Sequence, residues 1–194
     1  MTSTILLTNN EVNKAMLKGL IKNGWNGSWK IIKDSIVIDT KRKHTNLNKK
    51  MEYFKLQRIV ICLGIQLEIL ASFNKSFLFI DNDAISVIDD DWYIINNYND
   101  KNNTIVILDE NNVTITNPVI LQNKFMAPEL IEFYKKKNKV IPFVTNVSCI
   151  YYSIAALIIS LSKDGLNKLN ESPMYYFLER CLVNDQNNRF FIFV

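Results

Sequence analysis

The chain has 194 residues, 48% of them hydrophobic and 22% charged, with a formal net charge of +4. A chain of this size buries roughly 70% of the surface it exposes when unfolded, which excludes a disordered, collagen-like or disulfide-stapled polypeptide. Three cysteines, Cys62, Cys149 and Cys181, are odd in number and set in apolar sequence, so they read as buried free thiols of a reducing compartment, cytoplasmic or nuclear. The lone His44 argues against a histidine-based metal site or a Ser-His-Asp triad. The basic runs Lys41-Arg42-Lys43 with Lys49-Lys50, and Lys135-Lys136-Lys137 with Lys139, read first as solvated loops and second as a nucleic-acid or phospholipid surface.

In chain order, residues 10–22 space their apolar side chains as a short amphipathic helix with Asn10 as its cap. A turn with two large aromatics, Trp25 and Trp29, leads to strands over 29–33 and 35–39 and a polar basic stretch over 39–50. Residues 51–73 predict a long central helix. Short strands follow at 77–80, 85–88 and 92–95, separated by the acidic turns Asp81-Asn82-Asp83 and Asp89-Asp90-Asp91. Residues 96–124 read as a long loop with an extra hairpin built on strand-like islands at 104–108 and 113–115. Helices are expected from Pro128, over the apolar run 147–161, and from Pro173 to Leu182, before the apolar tail 190–194. The longest apolar run falls short of the ~20 residues a membrane span requires, and no basic leader precedes an apolar stretch at the N-terminus.

Several motifs fall in this order. Phe125-Met126-Ala127-Pro128-Glu129-Leu130 resembles the segment of eukaryotic protein kinases that ends in Ala-Pro-Glu. Asn146 stands where that family carries an Asp at the start of its central helix, and Glu179-Arg180-Cys181-Leu182 through Asp185-Gln186 to Arg189 resembles its closing arginine segment. The resemblance spans residues 51–194 and implies a buried ion pair between Glu129 and Arg189. Residues 1–50 are too few for a full nucleotide-binding lobe and read as its remnant or as a cap. The fold expected is therefore α+β and mainly helical, similar to a kinase C-terminal lobe with short β-hairpins and a reduced or absent N-terminal lobe.

The resemblance also implies what is missing. Phe79 stands in place of the catalytic aspartate, Ala84 in place of the metal-binding asparagine, and Asn97 in place of the second metal-binding aspartate. Phosphoryl transfer needs a carboxylate to orient the hydroxyl and oxygen ligands for magnesium; Phe79 and Ala84 offer neither. The chain is thus similar to a pseudokinase without catalytic residues, cofactor or metal, reduced like the kinase non-catalytic C-lobe domain. Its bias toward Asn, Ile and Lys matches AT-rich coding and suggests a large DNA virus as source. The function expected is a non-enzymatic scaffold or regulatory component that binds another protein. The alternatives are a residual nucleotide-dependent transferase that uses Asp81 or the acidic turns, and binding through the basic runs.

Overall fold

The computed structural model describes residues 3–40, 47, 50–89, 91–96, 105–116, 123–163, 169 and 171–193. Its longest element, α2 (Tyr53–Ser72), has no proline and buries Leu56, Ile59, Val60, Leu63 and Leu70. Ahead of it, β1 (Ser3–Thr8) leads into α1 (Glu11–Lys22), where the Asn10 side chain accepts a hydrogen bond from the Asn13 amide. α1 buries Val12, Met16, Leu17 and Leu20 and lies close against α2. A Cβ at Gly19 would stand 2.3 Å from the end of the Ile69 side chain, so a larger residue there would make that side chain shift.

β2 (Trp29–Ile32) and β3 (Ser35–Thr40) form a hairpin, and β1 pairs on the other side of β3 to give the antiparallel order β1-β3-β2. After α2 come β4 (Lys75–Phe77), a 3₁₀ turn over Asn82–Ala84, and the hairpin β5 (Ile85–Asp89) and β6 (Trp92–Ile95). β7 (Ile105–Asp109) and β8 (Asn112–Ile115) are followed by α3 (Pro128–Lys135), β9 (Phe143–Asn146), α4 (Cys149–Leu161) and α5 (Pro173–Cys181). A second 3₁₀ turn covers Gln186–Asn188. A bridge between Met51 and Ser162 sets the start of α2 beside the end of α4.

The expectation of a mainly helical chain is overturned. Among the described residues, nine strands in three antiparallel sheets stand beside five α-helices, a mixed α+β fold. The hairpin expected inside a long loop is the middle of a four-stranded sheet, order β4-β7-β8-β9. Its outer strands are three and four residues long, too short to carry a period-two signal. Residues 3–40 hold a helix and a three-stranded sheet. Their Ile5, Leu7, Met16, Leu20, Trp25, Ile36 and Ile38 join one apolar core with α2, the β5–β6 hairpin, α4 and α5. A smaller core under the four-stranded sheet gathers Phe79, Val113, Met126, Leu130, Phe133 and Cys149.

Candidate functional site

The segment from β4 to β6 carries Phe79, Asp81 and Ala84. Phe79 is buried in the smaller core, among the apolar residues before and within α3. The polar group that follows, Asp81, spends both carboxylate oxygens on structure. Oδ1 accepts the Ala84 amide at 2.9 Å, capping the 3₁₀ turn, and Oδ2 accepts the Asn123 side-chain amide at 3.1 Å. Asn123 in turn accepts from the Phe125 amide. The chain thereby ties the 81–84 turn to the segment entering α3. The Ala84 amide is shared between this carboxylate and the Asp81 backbone carbonyl at 3.2 Å, which closes the turn. Ala84, at the end of the turn, offers its carbonyl to the Asn96 amide. Asn97 lies outside the described residues, as do Asp90 and the Lys41-Arg42-Lys43 run with Lys49.

The backbone of the same segment is held from α4. The Ser153 hydroxyl accepts from the Ile80 amide at 2.9 Å and donates to the Ile80 carbonyl. On the other side, Gln66 of α2 is wholly buried and serves the β6 edge. Its Nε2 donates to the Cys62 and Tyr93 carbonyls, and its Oε1 accepts the Ile95 amide at 2.9 Å. Neither residue was singled out from sequence as functional. The available signal is a polar side chain whose helical neighbours three and four positions away on both sides are all apolar, which obliges a partner once buried.

Glu129 and Arg189, sixty positions apart, form a two-pronged ion pair. Nη1 donates to Oε1 at 2.6 Å and Nη2 to Oε2 at 2.9 Å. Arg189 also donates to the carbonyls of Val183 and Asn184 and lies over the Tyr152 ring. Its side chain has no exposed surface. Asn146 closes β9 rather than opening α4, which begins at Cys149. Its Oδ1 accepts the Ser148 amide and turns the chain into the helix. Gln186, where the kinase pattern has proline, accepts from Thr145 and the Asn146 amide while its own carbonyl accepts from Ser148. A planar amide acceptor beside β9 thus locks the C-terminal segment onto the start of the buried helix.

Of the three tryptophans, Trp25 is buried, Trp29 packs half-buried on the main core, and Trp92 lies beneath Arg58. The turn at Gly24, with φ near +104°, approaches Trp92, so residues 3–40 lie against the top of the β5–β6 hairpin. Phe191 and Phe193 of the tail pack edge-on against Phe177. An open cleft of about 350 Å³ lies between the end of α2, β4 and the start of α4. Gly64, Glu68, Ser76, Glu110, Tyr151 and Phe191 are among its lining residues.

The three cysteines are free and buried. Burial pushes the Cys62 thiol up to about 11 and those of Cys149 and Cys181 up to about 12. Such thiols stay protonated and lack the thiolate a nucleophile needs. Among the described residues no helix is long and apolar enough to cross a membrane. No protein-family model matches the chain, and no curated protein matches it significantly.

Proposed function

We propose that the protein is a non-catalytic binding scaffold of pseudokinase type, which acts through contacts with another protein. The observation that carries this reading is the conversion of the would-be catalytic stretch into structure: Phe79 is core, and Asp81 has both oxygens committed to the Ala84 amide and to Asn123. An acid so engaged would have to break its cap to orient a hydroxyl or hold magnesium, and Phe79 has no group to replace it. The Asp81 cap, the Ser153 clamp and the Glu129–Arg189 pair all favour a rigid frame over reactive chemistry.

The test is thermal melting of the full chain with ATP, ADP and GTP, with and without Mg²⁺ or Mn²⁺. A ligand that binds only the folded protein at a hundred times its Kd adds about 2.7 kcal/mol. The expected result is an unmoved melting temperature at millimolar nucleotide. A metal-dependent rise that vanishes in Asp81→Asn would overturn the scaffold reading in favour of a nucleotide-dependent transferase.

A further inference from the structure

We propose that the loop from Lys135 to Val144 is a docking element for an anionic phospholipid surface. Two independent features meet there. The first is charge: Lys135, Lys136, Lys137 and Lys139 are all exposed, and no Asp or Glu occurs between Glu132 and Asp164. The second is apolar exposure at the same place. Val140 is 78% exposed, Ile141 follows it in the open, and Val144 on β9 is 55% exposed. Cross-strand register carries the apolar surface inward, because Val144 pairs with Thr114 and Thr114 with Ile107, itself 65% exposed.

Aromatic contacts hold the base of the loop. Phe143 stacks on Phe133 at 4.1 Å and 10° between planes, Tyr134 meets Phe133 edge-on, and the Lys139 ammonium lies over the Tyr134 ring. This aromatic staple closes the base, with Val140 and Ile141 exposed at the apolar tip and the lysines beside it. Lysine charge attracts the headgroups of an anionic leaflet, while aliphatic side chains gain by entering the headgroup–acyl boundary. A phosphodiester backbone rewards the lysines but offers the aliphatic tip nothing, which favours lipid over nucleic acid. The proposal is independent of the pseudokinase reading, since it uses no residue of the would-be catalytic stretch.

The experiment is co-sedimentation of the full chain with phosphatidylcholine vesicles, with and without phosphatidylserine, across a salt series. The variants are Lys136→Gln/Lys137→Gln, Val140→Asp and the milder Val140→Ser. All the altered side chains are exposed, and circular dichroism melts check that each variant folds. The expected result is binding to phosphatidylserine vesicles alone, weakening with salt. It should weaken about fivefold per lysine removed and further in both Val140 variants. No binding to phosphatidylserine vesicles would overturn the proposal. So would binding indifferent to Val140, or binding to duplex DNA or RNA in place of vesicles.

Discussion

A guanidinium taken wholly out of water is tolerable only when its donors are matched, and Arg189 reaches that state with one carboxylate, two carbonyls and an aromatic face. The net stability of such a pair is small because both ions lose their hydration, but breaking it strands a buried charge. Glu129→Ala should therefore cost roughly 3–5 kcal/mol in urea unfolding, and pairing it with Arg189→Met should recover much of that loss. The cysteines give a prediction with a definite sign. A thiol whose pKa is raised by burial keeps its proton in the folded chain while the unfolded chain ionises near its ordinary value, about 8.5. The stabilising contribution is thus complete below that value and drains away as pH climbs toward about 11 for Cys62 and about 12 for Cys149 and Cys181. Stability should fall above about pH 9, and less so in Cys149→Ala, when unfolding is followed across the alkaline range. In native protein at neutral pH a thiol reagent should find nothing reactive, and three thiols after denaturation.

A helix can finish a sheet, and α2 does so for the β5–β6 hairpin. β6 presents the Tyr93 carbonyl and the Ile95 amide on its unpaired edge, and the Gln66 amide satisfies both. Gln66→Leu keeps the volume and the helix but leaves two buried backbone groups unpaired, at about 1–3 kcal/mol each. The expected outcome is a large drop in urea midpoint without a change in helical circular dichroism in the native state, and Gln66→Met should behave alike. Contacts of this kind mark the limit of what sequence periodicity reveals. α1 with its Asn10 cap, α2, the β2–β3 and β5–β6 hairpins and Pro128 at the start of α3 were all legible, because each repeats a local pattern or carries a terminal signal. β1 and β9 were not, and with them went the sheet order. A strand of four residues such as Phe143–Asn146 exists because β8 lies beside it, and partners distant in sequence leave no local trace. The same holds for the candidate site. The apolar character of Phe79 and Ala84 is written in the chain, whereas the reach of Asp81 to Asn123 depends on a segment 42 positions away.

At the scale of the whole molecule, one apolar core draws on residues from both sides of position 50. Met16, Leu17, Leu20, Ile36 and Ile38 are fully buried in the same apolar cluster as Leu63, Ile94, Ile158 and Phe177. Burial of a large aliphatic side chain is worth about 1.5–3 kcal/mol, and a domain's whole stability is about 5–15 kcal/mol. Removing the first helix and the three-stranded sheet would expose the faces of α2 and β5–β6 that they cover, including the contact of Gly19 with Ile65 and Ile69. The loss from those faces alone is then of the same size as the total. A chain of residues 51–194 should consequently fail to give a cooperative melt and should bind a hydrophobic dye, while the full chain melts in one transition. Two well-separated transitions in the full chain, or a truncated chain with native-like amide dispersion, would mean that residues 1–50 are a detachable cap on an autonomous domain. The point bears on the proposed scaffold role: an N-terminal sheet that belongs to the large described core would fix any binding surfaces in one relation, while a detachable cap would leave the β5–β6 hairpin open to a partner.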